Sequence, residues 1–118
     1  MKSLAKKVTV VICVRNGEET IRQCIESVIN NHPAEIIIVD GNSTDNTVVI
    51  CKEYKLKVLR DKGIGLGNAR NVGLKDVSSE YVYYVGPDNI LEKGSIGSLV
   101  AYIEDKNWIG STPLIIIH

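Results

Sequence analysis

Apolar residues in this chain come either as short unbroken runs or as helically spaced sets, and the two kinds alternate. Lys7 followed by Val8-Thr9-Val10-Val11-Ile12-Cys13-Val14 is too apolar for a strand with one wet face and predicts a strand buried on both. Ile21, Cys24, Ile25, Val28 and Ile29 then fall at i, i+3, i+4, i+7 and i+8, the spacing of one helix face. Asn30-Asn31-His32-Pro33 ends that helix, because proline cannot continue it. Glu35-Ile36-Ile37-Ile38-Val39-Asp40 predicts a second buried strand closing on a carboxylate. The polar turn Gly41-Asn42-Ser43-Thr44-Asp45-Asn46 supplies cap residues for a helix reaching Tyr54.

The alternation continues. Lys57 to Arg60 predicts a short strand, and glycines 63, 65 and 67 lead into a helix over Asn68 to Lys75. Tyr81 to Val85 predicts a fourth strand, broken by Gly86-Pro87. Ile96, Leu99, Val100 and Ile103 mark another amphipathic helix, and Trp108-Ile109 with Leu114 to Ile117 predict closing strands. Strands separated by helices imply a mostly parallel, doubly wound sheet in a three-layer α/β/α sandwich, joined by right-handed crossovers. In such sheets ligands bind beyond the carboxyl ends of the strands. The polar segments Arg15-Asn16, Asp40 to Asp45, Gly63 to Arg70 and Gly86 to Asn89 all fall there, which predicts one continuous site.

Composition narrows the ligand. The 118 residues form a single domain over 1–118, with 44% hydrophobic and 24% charged residues. Fourteen basic residues balance fourteen acidic ones, so no global field draws the chain to nucleic acid or anionic lipid. Met1 to Lys7 followed by the run to Val14 does not read as a signal peptide, and no run approaches a membrane span. Cys13, Cys24 and Cys51 sit in apolar patterns without a CxxC pair, as reduced core thiols of a cytoplasmic protein would.

Four segments carry candidate chemistry. Gly63-Ile64-Gly65-Leu66-Gly67-Asn68-Ala69-Arg70 has neither the spacing nor the position of a dinucleotide fingerprint. Its small residues still allow close approach to a ligand, and Arg70 adds a positive charge suited to a phosphate or a base edge. Asp40 ends a buried strand and faces the expected cleft, while Ser43, Thr44 and Asp45 are better placed to cap the next helix. Asp88 follows Gly86-Pro87 and is either a rigidly presented ligand for a hard cation or, with Asn89, a helix N-cap.

Together these segments resemble glycosyltransferase family 2, whose fold is the Rossmann-like GT-A type. Val8 to Asn16 is similar to that family's first strand, which ends in P-T-Y-N. Ile37 to Thr47 resembles its V-D-D-G-S-T-D-G-T segment, and Gly65 to Gly73 its G-x-x-x-A-R-N-x-G loop. Glu80 to Asn89 stands where the family has E-Y, an apolar run and D-x-D-D/N. The resemblance implies a glycosyltransferase that takes its sugar from a nucleoside diphosphate-sugar. Cys13, Val14, Arg15, Asp40 and Gly41 would line the base and ribose, with Asn68 and Arg70 nearby. Asp88 would hold Mg²⁺ or Mn²⁺ bridging the diphosphate.

The chain also departs from the family pattern. Cys13-Val14-Arg15 replaces P-T-Y, Gly41 replaces the second aspartate of V-D-D, and Gly86 replaces the first of D-x-D. In the family the acceptor site and general base lie in a second half that follows, and no base is nominated here. Three readings stay open: the donor-binding half of a transferase, a non-catalytic binding module of the same fold, and a nucleotidyltransferase-like domain. The resemblance further suggests a membrane-proximal acceptor. The apolar tail suggests a homodimer, with the domain truncated relative to the family.

Overall fold

Five strands lie side by side, each hydrogen-bonded in parallel to its neighbour: β1 (Val8–Val14), β2 (Glu35–Asp40), β3 (Lys57–Arg60), β4 (Tyr81–Val85) and β5 (Leu114–Ile117). This computed structural model describes residues 4–61, 72–73, 77–105 and 114–117. Helices α1 (Ile21–Ile29), α2 (Thr47–Glu53) and α3 (Ser95–Asp105) connect strands, and a 3-10 turn at Leu4–Lys7 leads into β1. Of the helix expected over 68–75, Val72 and Gly73 are described and are helical. Trp108 and Ile109 lie outside the described residues.

The strand order is β3-β2-β1-β4-β5. The chain steps outward from β1 to β3, then returns to place β4 on the other side of β1. The order therefore reverses between β1 and β4, and loops leaving those two strands diverge to opposite sides. Register keeps the strand ends level: Val14 pairs with Asp40, Asp40 with Arg60, and Ile12 with Val85.

Both faces of the sheet are covered, as the unbroken apolar runs require. Val8, Val10, Ile12 and Val14 of β1 pack with Ile36, Ile38, Tyr81, Tyr83 and Val85 against residues of α1, α2 and α3. On the reverse face Val11, Ile37, Val39, Val82 and Tyr84 pack with Val72 and Val77. Most of β1 is wholly buried, and each such valine or isoleucine contributes about 1.5–3 kcal/mol by leaving water.

Helix α1 follows its predicted stripe with one exchange. Ile21, Cys24, Ile25 and Val28 are buried, but Ile29 is 37% exposed and Ser27 is buried in its place. The helix ends where His32 takes a left-handed φ of 55° just before Pro33. At the amino edge of the sheet, Lys7 Nζ and Tyr81 Oη both donate to Glu104 Oε2, at 2.6 and 2.9 Å. These bonds tie α3 to the sheet and hold the Glu104 carboxyl below the usual carboxylate range, the Lys7 bond first.

Gly73 shows how closely the second layer sits. A Cβ at this position would stand 2.7 Å from Val11 Cγ1 and 3.2 Å from Val39 Cγ2, both on stiff, buried side chains. Gly73→Ala should therefore destabilise the fold by about 1–3 kcal/mol through overpacking, read as a lower urea midpoint. An unchanged midpoint would mean that residue 73 can lift off β1 and β2 at no cost.

Candidate functional site

The carboxyl edge of the sheet collects the polar residues that end each strand. Arg15 and Asn16 follow β1, Asp40 and Gly41 close β2, Asp61 follows β3, and Gly86 to Asn89 follow β4. Asp40 and Asp88 thus stand at one edge, where Arg70 was expected with them. Cys13 is half-buried and Val14 buried within β1, whereas Arg15 is exposed at its end. Asn68 and Arg70, with the rest of the glycine-rich stretch, lie outside the described residues.

Asp40 is 1% exposed, and its carboxylate accepts the Ser43 amide at 3.1 Å through Oδ2. Its carbonyl accepts the Asp61 amide at 3.1 Å, and the Gly41 amide donates to the Val14 carbonyl at 2.8 Å. These bonds extend the sheet one residue beyond its formal ends. Asp61, 4% exposed, was not foreseen from the sequence. Its Oδ1 lies 3.5 Å from the point where a Cβ on Gly41 would stand. A carboxylate therefore stands beside the place where the family carries its second aspartate, supplied by the neighbouring strand.

The loops after β1 and β2 are stitched together. The Asn16 amide donates to Ser43 Oγ at 2.8 Å and the Gly17 amide to Thr47 Oγ1 at 2.9 Å. Asn16 Oδ1 accepts the Thr44 amide at 2.8 Å, with Asn16 at a left-handed φ of 52° that asparagine tolerates. Asp45 is central: Oδ2 accepts the Glu18 amide at 3.2 Å, and Oδ1 accepts both the amide and the hydroxyl of Thr47. The Thr47 hydroxyl first, and these amides after it, hold the Asp45 carboxyl below its ordinary range. Asn46 occupies the N-cap of α2 without a side-chain capping bond, so the capping expected of Ser43, Thr44 and Asp45 is realised through Asp45 onto Thr47.

Beyond β4 the chain turns at Gly86-Pro87, with the Asn89 amide returning to the Gly86 carbonyl at 3.1 Å. Asp88 is exposed on this turn. Helix α3 does not begin until Ser95, so neither Asp88 nor Asn89 is its N-cap. A Cβ on Gly86 would stand 2.5 Å from Asn89 Oδ1 and 3.3 Å from Asp88 Oδ1. Two oxygens thus gather over the glycine that replaces the family's first carboxylate. Beneath the turn the Cys24 thiol donates to the Gly86 carbonyl at 3.4 Å; burial first, then the nearby Asp88, push its pKa up to about 12.

These residues fit a hard divalent cation of one kind only. No cluster of three acidic, histidine or cysteine side chains that could hold a metal occurs among the described residues. An all-protein cage is therefore not formed by them. One carboxylate beside an amide oxygen suits Mg²⁺ or Mn²⁺, which take their other ligands from substrate phosphates and water.

A reversal point in a parallel sheet, with carboxylates gathered at its carboxyl edge, defines a doubly wound α/β domain. Comparison with known proteins identifies the kind. The sequence pattern of Glycosyl transferase family 2 matches residues 9–116, and the chain belongs to that family. Glycosyltransferase GlyA of Streptococcus pneumoniae is 34% identical over 100 residues, covering 79% of this chain and 14% of that protein. Poly(ribitol-phosphate) beta-N-acetylglucosaminyltransferase TarP of Staphylococcus aureus is 32% identical over 112 residues, 86% of this chain and 34% of that one. The chain thus spans a third or less of the length of several such relatives.

Among solved structures, S. aureus TarS 1–349 in complex with UDP-GlcNAc superposes with a TM-score of 0.77 at 29% identity, over 85% of this chain and 32% of that one. The mannosyltransferase PcManGT of Pyrobaculum calidifontis, in complex with GDP-Man and Mn²⁺, gives a TM-score of 0.77 at 20% identity, over 82% of this chain and 32% of that one. The second likeness speaks for the fold. Both support a doubly wound GT-A sheet.

The stitching of the two loops makes a direct expectation. Asp45→Ala removes the acceptor for the Glu18 and Thr47 amides, so both should exchange hydrogen faster, on the order of tenfold. Unchanged exchange at Glu18 would mean that the loop after β1 holds its place without Asp45.

Proposed function

We propose that this chain binds a nucleoside diphosphate-sugar at the carboxyl edge of its sheet and presents it for glycosyl transfer. The observation that carries the reading is the placement of Asp40, Asp61 and the Asp88 turn along one carboxyl edge of a sheet whose order reverses between β1 and β4. Membership of glycosyl transferase family 2 and the likeness to TarS with UDP-GlcNAc support it. TarS in complex with UDP-GlcNAc makes a uridine diphosphate-sugar the donor class of this proposal.

In this reading Cys13 and Val14 form the floor, and Asp40 with Gly41 faces the base and ribose. The exposed Arg15 guanidinium, standing where the family has tyrosine, stacks on the base. Asp61 supplies a carboxylate that accepts from a base or ribose donor, the part Gly41 gave up. Asn68 and Arg70 complete the phosphate side as part of the proposal. Asp88, with the Asn89 amide oxygen, holds Mg²⁺ or Mn²⁺. When bound, the cation neutralises the diphosphate leaving group and orients it.

Electrostatics support the need for a cation. Asp40, Asp61 and Asp88 stand beside the exposed Arg15 at one edge, and a divalent ion bound there would reduce the repulsion a diphosphate meets from these carboxylates. The loop clasp around Asp45 fixes the base side of the cleft before the ligand arrives, so less ordering is left for binding. A cytoplasmic setting belongs to the same proposal; none of the three cysteines forms a disulfide. No helix among the described residues is long and apolar enough to cross a membrane.

Calorimetry with UDP, with and without Mn²⁺, tests the reading. The chain should bind UDP more tightly with Mn²⁺ present, and Asp88→Ala should bind it equally weakly under both conditions. Equal metal response in the two proteins would remove Asp88 from the site.

A further inference from the structure

Helix α1 carries a second, polar stripe that the donor-site reading leaves unused. Thr20, Cys24, Ser27 and Asn31 fall at i, i+4, i+7 and i+11, one line along the helix. All four face the irregular segment between β4 and α3. Thr20 Oγ1 donates to the Pro87 carbonyl at 3.0 Å, and the Cys24 thiol to the Gly86 carbonyl at 3.4 Å. Ser27 Oγ accepts the Leu91 amide at 3.0 Å while donating to the Cys24 carbonyl at 2.7 Å. Asn31 Nδ2 donates to the Glu92 carbonyl at 3.1 Å, and Asn31 Oδ1 accepts the Ile96 amide at 3.1 Å.

The lower rungs are explained by burial alone. Ser27 and Asn31 are 9% and 5% exposed, and a loop backbone packed against them must find partners. Thr20 is different. It occupies the N-cap of α1, where a threonine hydroxyl ordinarily accepts an amide of its own helix, and it makes no such bond. Its side-chain bond crosses instead to the residue immediately before Asp88. With Cys24 holding the next carbonyl back, the two residues fix both peptide units that lead into the cation-binding turn.

We infer that Thr20, assisted by Cys24, is a positioning residue for Asp88, using its hydroxyl to aim the metal-binding turn rather than to cap its helix. The inference rests on the donor-site reading above. Partners one step removed from a metal commonly set its affinity by 10–100-fold, because they fix where the ligand points.

Thr20→Val keeps the shape and removes the hydroxyl. In calorimetry with UDP and Mn²⁺, it should lose roughly tenfold or more of the affinity gained from the metal. Affinity for UDP without metal should stay unchanged, and the melting temperature should fall only by what one part-buried hydrogen bond contributes. Thr20→Ser should restore the metal response. In the ligand-free chain, the Asn89 amide should exchange faster in Thr20→Val than in the unsubstituted protein. A Thr20→Val protein with the full metal response, or with unchanged exchange at Asn89, overturns the inference and leaves the donor site standing. An unsubstituted chain indifferent to Mn²⁺ overturns the donor-site reading and the inference together.

Discussion

A parallel sheet sends every carboxyl strand end to one edge, and in this chain everything functional depends on where that edge changes direction. β1 is the pivot, paired with β2 on one side and β4 on the other, and buried on both faces. Its hydrogen bonds set Val14 level with Asp40 and Ile12 level with Val85, so the loops that follow open around a shared cleft. A one-residue slip in either pairing would exchange the residues packed on the two covered faces and carry Asp40 or the Asp88 turn out of line.

The walls of that cleft are held in different ways. Beside β2, the loops after β1 and β2 hold each other through Asp45, Asn16, Ser43 and Thr47, largely by side chains accepting backbone amides. Beside β4, the turn that follows it is held from below by α1, through a line of hydroxyl, thiol and amide groups. The first arrangement is exposed and polar, the second largely buried. The family's sequence pattern is relaxed at Gly41 and Gly86, where backbone order has been kept and carboxylates lost. Room exists for a side chain at 41, whose Cβ contacts would be ordinary at 3.4–3.5 Å, but not at 86 without moving Asn89.

Much of this was legible in the sequence. Val8 to Val14 and Glu35 to Asp40 are apolar without alternation, and only a strand covered on both faces explains that. Asp40 and Asp88 stood out because each ends or follows such a run. Asp61 did not: it follows a short, half-exposed strand and looks like any loop carboxylate until the register with Asp40 places it under Gly41. The polar stripe of α1 was hidden for a related reason. Ser27 lay outside the apolar stripe and Asn31 read only as part of the segment that ends the helix, and only the tertiary placement of residues 86–96 gives them partners. Ile29 erred in the opposite direction, since the helix ends before its face can be covered. Pattern fixes faces, whereas polar partners are fixed by what the chain brings alongside later.

The proposed ligand position is the carboxyl edge of the sheet, astride β1 and β4. Amide resonances of the chain followed during titration with UDP and Mg²⁺ test it most directly. Shifts are predicted at Arg15, Gly41, Asp61 and Asn89, with Lys7, Ala34, Tyr81 and Glu104 at the opposite edge unmoved. Shifts concentrated among Lys7, Ala34, Tyr81 and Glu104 would contradict it.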